Sequence, residues 1–278
     1  MYTRSELASG FRSLGVSSGD TVMVHASVRS VGPIAGGADE IHLALKEALG
    51  NDGTILMYAG APANVDDVGR GHFSAEEEAE VLEKLPPFDG QVARSDRSHG
   101  ALVEFLRTYP GTLAGNHVTR FIAWGKQSAH LLSHEPWDFT YGAGSVLERF
   151  VELNGKVLLI GPDHDTVTLL HYVEHIAEIA DKRVVQFRVP VLEQGVRVWR
   201  EMLEYDSSRG AHANWPDRFF ALIVDGYLAA TSNLGGKAGN ATCYLIEAPG
   251  LCEFALKVMV RVAENPTAVS DMRELPLA

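Results

Sequence analysis

A histidine and a glutamate stand three positions apart in the run Asp163-His164-Asp165-Thr166-Val167-Thr168-Leu169-Leu170-His171-Tyr172-Val173-Glu174-His175. Residues three and four apart are neighbours on a helix, so a helical run brings Glu174 and His175 close to His171. An imidazole held by a carboxylate makes a general base that works near neutral pH. Val167, Leu170, Val173, Ile176, Ala177 and Ala180 form one apolar helical stripe, with His171 and Glu174 on its edge. That predicts a half-buried pair whose basicity burial and pairing can tune. The same spacing fits a core histidine capped by a glutamate. It also spells His-x-x-Glu-His, which as a zinc motif would take His171 and His175 as ligands and Glu174 as base. Glu247 or Glu253 would then complete the metal site. A chain with 11 histidines produces such a string readily by chance.

A second constellation runs from Val24 to Ala38: His25-Ala26-Ser27-Val28-Arg29-Ser30, then Gly32-Pro33 and Gly36-Gly37. It starts at a predicted strand end and passes through glycines into a predicted helix start. Backbone N–H groups in such a loop can hold phosphates or a thioester carbonyl, with Ser27, Arg29 and Ser30 as further donors. An ordinary strand-to-helix connection has the same look. The loop is neither a P-loop nor a Gly-x-Gly-x-x-Gly dinucleotide fingerprint.

The elements that must position these groups follow from periodicity and punctuation. Residues 3–14 read as an amphipathic helix opened by the capping box Thr3-x-x-Glu6. A buried strand at 21–25, a helix through Ile41, Leu45, Ala48 and Leu49, and a strand at 54–59 make a strand–helix–strand unit. In α/β sheets of this kind, sites gather at the carboxyl ends of strands. Residues 60–98 are irregular, with a short helix at 76–85. The expected elements beyond are a helix at 100–109, a strand at 119–124, and helices at 127–132 and 145–153. A strand at 156–161 precedes the His171 helix. The pattern then gives a β-hairpin at 184–192 and 196–205, a helix at 216–227, a strand at 242–248 and a closing helix at 250–264.

The chain has 278 residues and is 46% hydrophobic, values of a globular protein. No apolar run reaches the roughly 18–20 residues of a membrane span. The N-terminal residues lack the apolar core of a secretory signal, so a cytoplasmic location is expected. Two cysteines, Cys243 and Cys252, are too few for a disulfide framework or a Cys-rich zinc site. A net charge of −12 argues against nucleic acid. It fits simple solubility, and it also fits attraction of a polycation. The acidic residues are uneven: Asp66, Asp67, Glu76, Glu77, Glu78, Glu80, Glu83 and Asp89 face only Arg70 and Lys84 in their segment.

Taken together these segments resemble the aminoglycoside 3-N-acetyltransferase family. The match runs from Leu14-Gly15-Val16 and Gly19-Asp20 through Val24-His25-Ala26-Ser27, Arg29, Gly32-Pro33 and Gly36-Gly37-Ala38. It continues through Leu49-Gly50, Gly53-Thr54, Pro87-Phe88-Asp89, and Gly100 with Leu102 and Glu104. Later come residues 145–150, 155–161 and 168–174, then Lys182-Arg183, residues 204–208 and Cys243-Tyr244-Leu245. Where these enzymes often show Ser-x-His-Pro, this chain has Gly115-Asn116-His117-Val118. The insertion after Gly60 is another variable region, and both departures bear on substrate range.

The resemblance implies a single α/β domain over 1–278, a mixed central β-sheet flanked by helices and unlike the GNAT acetyltransferases, with 60–98 as an acidic substrate loop. It implies acetyl-CoA as co-substrate, no metal, and an aminoglycoside whose 3-amine is acetylated by direct transfer. In that reading His171, oriented by Glu174, is the base. The backbone at Ala26–Arg29 and the Ser27 hydroxyl would receive the oxyanion. His25, Ala26, Ser27, Val28, Arg29, Ser30, Gly36, Gly37 and Thr168 would surround acetyl-CoA. Asp67, Glu104 and Asp206, with Glu76, Glu77 and Glu78, would face the polycationic drug. The oligomeric state is left open, a homodimer included.

Overall fold

The computed structural model describes residues 1–278 apart from 63–64, 66–67, 69–70, 208–209 and 270–278. In chain order its first half carries α1 (Arg4–Ser13), β1 (Thr21–Ala26), α2 (Val28–Val31), α3 (Asp39–Leu49), β2 (Thr54–Tyr58) and α4 (Ala75–Lys84). Next come α5 (Ala101–Arg107), β3 (Leu113–Ala114), β4 (Phe121–Gly125), α6 (Ser128–Leu131) and α7 (Val146–Glu152). The second half carries β5 (Lys156–Ile160), α8 (Leu169–Ile176), β6 (Val184–Glu193), β7 (Val196–Tyr205), α9 (Phe219–Ala230), β8 (Gly236–Ala238), β9 (Ala241–Glu247) and α10 (Ala248–Glu264). Sequence periodicity locates all of them except α2, β3 and β8. Those are four, two and three residues long, too short for either period to show.

Seven strands form one sheet in the order β3-β4-β2-β1-β5-β9-β8. β1 lies parallel to both β2 and β5, and the outer strands run antiparallel, giving the mixed sheet that the resemblance implies. Alternation along the central strands sorts side chains to two cores. Val22, Val24, Ile55, Met57, Leu158 and Ile160 join α1, α3 and α5 on one face. Met23, Leu56, Val157 and Leu159 join α6 to α10 on the other. His25 and Tyr58 continue the Met23 and Leu56 rows, so both stand on the α8 side at the carboxyl ends of parallel strands.

The β6–β7 hairpin turns through Gln194 and Gly195, both at positive φ, which suits glycine at the second position. A third core joins the hairpin's Phe187, Val189, Val191 and Met202 to Ala61, Val65, Leu85, Phe88 and Val118. The acidic segment is thus packed on the hairpin, with the Phe88 N–H donating to Pro190 O at 2.7 Å and Leu192 N–H to Phe88 O at 2.8 Å. Arg120, fully buried, ties the segment to the sheet by donating to the carbonyls of Ala59, Gly90 and Ala93.

His117 lies under the same segment, 2% exposed, and its Nδ1 accepts the Thr119 N–H at 3.1 Å. Burial pushes its pKa down from 6.5 to about 4, against the opposing pull of Glu204 and the Trp137 backbone. The unfolded chain therefore binds a proton that the folded chain refuses. Stability from this residue is complete above pH 6.5 and is lost as pH falls toward 4, by about 3 kcal/mol over that range. Asparagine at 117 can keep an acceptor for Thr119 without titrating. Denaturant titrations from pH 7 to 4.5 are expected to show a shallower loss of stability in His117→Asn than in wild type, and parallel curves would refute the attribution.

Candidate active site

The helix that carries the histidine is shorter than its apolar stripe suggests. Asp163 caps a 3-10 turn at His164–Thr166, with its Oδ1 accepting the Asp165 N–H at 2.9 Å. The α-helix proper ends at Ile176, not at Ala180. The Lys182 ammonium stops it by donating to the carbonyls of Glu174, His175 and Ala177 at 2.9, 3.1 and 2.8 Å.

Within this short helix the predicted pair forms. His171 Nδ1 lies 2.6 Å from Glu174 Oε2. Glu174 is only 2% exposed, deeper than the edge of the stripe predicts, and its Oε2 also accepts the Ser207 hydroxyl at 2.9 Å. A buried carboxylate facing Nδ1 fixes the proton there, which leaves the lone pair on Nε2. Nε2 makes no hydrogen bond among the described residues. Tyr141 stacks on the ring at 5.0 Å between centroids and 23°, and Phe220 meets its edge at 4.9 Å.

His175 is held apart from this chemistry. Its Nδ1 lies 2.7 Å from the His171 carbonyl and its Nε2 lies 2.5 Å from Glu204 Oε1. Both nitrogens are committed to protein, so the His-x-x-Glu-His string does not work as a zinc site. Among the described residues no group of three or more His, Cys, Asp or Glu side chains is placed to hold a metal. Burial alone would raise the Glu204 carboxyl. The hydrogen bond and charge of His175, with the N–H groups of Tyr205 and Thr140, outweigh burial and hold it below the usual carboxylate range. Since Glu204 Oε2 accepts the Thr140 N–H at 2.8 Å, one carboxylate anchors the hairpin, α8 and the loop that presents Tyr141.

Two cavities meet at His171. The smaller, about 320 Å³, is walled by Asp165, His171, Glu174, Ser207, Asp217, Arg218 and Phe220 among others. It gathers three carboxylates, while Arg218 is paired with Asp163 at 2.6 Å. The larger, about 580 Å³, runs from His171 and Thr168 to His25, Ala26 and Ser27 at the end of β1, and to Tyr58, Ser98, His99 and Gly100. Asp165 and His171 belong to both walls. Burial, with His99 as a nearby second imidazole, lowers the His25 pKa to about 4 and keeps that ring neutral.

The structure thus gathers His25, Ala26, Ser27, Thr168, His171 and Glu174. Val28, Arg29, Ser30, Gly36 and Gly37 are not among the wall residues of either cavity. The Ser27 N–H, expected as an oxyanion donor, is spent on Ile160 O at 3.0 Å, and the Ser30 hydroxyl donates to Ser27 O at 2.7 Å. Glu104 pairs with Arg107 at 2.8 Å and also accepts the Ser95 N–H at 2.9 Å. Asp206 is buried with its N–H on Arg183 O. Neither is among the wall residues of these two cavities. Glu77 is used in the α4 capping box with Ser74, and Glu76 and Glu78 share that first turn. Asp67 lies outside the described residues. The sequence reading missed Asp165 and Asp217 as carboxylates of the smaller cavity. The signal for Asp165 was its place between two residues already singled out, Asp163 and His171. Asp217 follows Pro216 at a predicted helix start.

A family model described as aminoglycoside 3-N-acetyltransferase matches residues 23–260. Aminoglycoside N(3)-acetyltransferase III of Pseudomonas aeruginosa is 37% identical over 260 residues, covering 92% of this chain and 93% of that protein. Aminoglycoside N(3)-acetyltransferase VIII of Streptomyces fradiae is 34% identical over 261 residues, covering 92% and 91%. Among solved structures, AAC-IIIb in a binary complex with CoASH superposes with a TM-score of 0.86 at 37% identity, covering 94% of this chain and 97% of that one. Sisomicin-bound AAC-VIa gives 0.86 at 35% identity, covering 94% and 98%.

Proposed function

The chain belongs to the aminoglycoside 3-N-acetyltransferase family, and from that premise we propose that His171, oriented by Glu174, is the base for acetyl transfer from acetyl-CoA to the 3-amine of an aminoglycoside. The observation that carries this reading is the meeting of two unlike cavities at one imidazole. The larger cavity takes the pantetheine arm and thioester. It is the cavity to which the end of β1 contributes. The smaller takes the deoxystreptamine ring, since Asp165, Glu174 and Asp217 suit a polycation. The two ligand classes are those of the solved relatives, one holding CoASH and another sisomicin.

Neighbouring carboxylates favour the protonated amine, so the acceptor becomes a nucleophile only when a base removes its proton. The ammonium loses one proton to solvent, and His171 Nε2 takes a second as the neutral amine nitrogen attacks the thioester carbon. The imidazolium formed is stabilised by the Glu174 carboxylate beneath it. Collapse of the tetrahedral intermediate breaks the C–S bond, and the same proton passes to the departing thiolate. Direct transfer needs no protein nucleophile. Burial raises the pKa of Cys243 to about 11 and that of Cys252 to about 12, which keeps both as thiols.

The test is acetyl-CoA-dependent thiol release with 4,5- and 4,6-disubstituted deoxystreptamine drugs, with the acetylated nitrogen located by NMR. Saturable release requiring both substrates, and a product acetylated at N3, are the expected results. The KM for the drug should rise with salt, as screening weakens the carboxylate cavity. Absence of release with every drug would sink the proposal.

A further inference from the structure

We infer that His25 is a second catalytic residue, a neutral imidazole that donates a hydrogen bond from Nδ1 to the thioester carbonyl oxygen. The inference rests on the donor-cavity reading above. Three observations carry it. First, His25 ends a parallel strand on the α8 side of the sheet and walls the same cavity as His171. Second, its Nε2 is sealed from solvent and has no hydrogen-bond partner. Nε2 is without a partner in either tautomer, so Nδ1 separates the two: a proton there can meet an acceptor in the cavity, whereas a proton on Nε2 can meet none. Nδ1 is not sealed, and among the described residues it makes no hydrogen bond. Third, another donor at the same strand end is spent, because the Ser27 N–H is bonded to Ile160 O at 3.0 Å.

The two histidines then divide the work. His171 has a carboxylate beneath it. His25 has no carboxylate partner, and its low basicity prevents it from taking the amine's proton. As the amine nitrogen bonds to the carbonyl carbon, the π pair moves onto oxygen, and the Nδ1–H bond strengthens as negative charge grows there. When that pair returns, the C–S bond breaks and the thiolate takes the proton held on His171. His25 keeps its own proton throughout, so the step balances without it.

The test needs no acceptor. Wild type, His25→Ala and His25→Asn are each loaded with acetyl-CoA labelled with carbon-13 at the thioester carbonyl, and the bound resonance is read by NMR. Asparagine can place its amide N–H where Nδ1 stands. A downfield shift on binding in wild type, kept in Asn and lost in Ala with similar affinity for acetyl-CoA, is the expected pattern. With an accepted drug, Ala should lower kcat about 100-fold or more at nearly unchanged KM for acetyl-CoA, and Asn should recover much of it. An unchanged bound shift in Ala, or Asn as slow as Ala, overturns the role of His25 alone. No acetyl-CoA binding in wild type overturns the donor-cavity reading, and this assignment with it.

Discussion

His171→Ala and His171→Asn are both expected to lose about 10³–10⁴-fold in kcat, at the upper end of what a positioned base contributes. The two variants separate chemistry from structure. Alanine leaves the buried Glu174 carboxylate with Ser207 as its remaining side-chain partner, and removes the ring between Tyr141 and Phe220. Part of its deficit would therefore come from a rearranged site. Asparagine can offer an amide N–H in the place of Nδ1, so Glu174 keeps a donor while no base faces the amine. Equal deficits, with Asn the more stable of the two, identify the missing lone pair as the cause. Thiol release at saturating substrates gives kcat, and thermal melts give the stability order. If Asn retained turnover within tenfold of wild type, a different group would have to take the proton.

The pair itself was legible because helical geometry makes an i,i+3 spacing a statement about contact. What surrounds it was not. Ser207, Tyr141 and Asp217 reach the site from loops whose paths depend on the hairpin, on the Glu204 anchor and on the start of α9. None of these contacts has a local spacing. The helix end at Ile176 is of the same kind, since its cause is a lysine six residues downstream folding back onto the last carbonyls. The central strands could be read because they are continuous apolar runs between turn signals, whereas the mixed character of the sheet was implied only by the family resemblance. The pocket carboxylates could not be read from charge density. Glu104 carried a warning of its own, because Arg107 at i+3 is the partner that consumes it.

Arg120 is where the largest loss of stability is expected, and its effect should reach acetyl-CoA as well. The guanidinium is completely buried, and among the described residues it forms no ion pair with a carboxylate. Burial lowers its pKa to about 10, so it is still charged at neutral pH. Its charge is met by three carbonyls, of Ala59 at the end of β2 and of Gly90 and Ala93 in the acidic segment. Methionine fills similar space but leaves those acceptors without donors, at about 1–3 kcal/mol each if they stay dry. Removing the buried charge itself gives some of this back. A net loss of about 3–5 kcal/mol corresponds to a fall in Tm of roughly 10 °C for a chain of this size. Arg120→Lys keeps the charge but cannot span three carbonyls, and should fall between. The tethered segment continues to Ser98, His99 and Gly100 in the wall of the larger cavity. Below the melting range, Arg120→Met should therefore raise the KM for acetyl-CoA more than it lowers kcat, because the base and its carboxylate sit on a different element. A melt within 2–3 °C of wild type would show that water replaces the guanidinium at little cost, and that the segment is held by its apolar contacts with the hairpin instead.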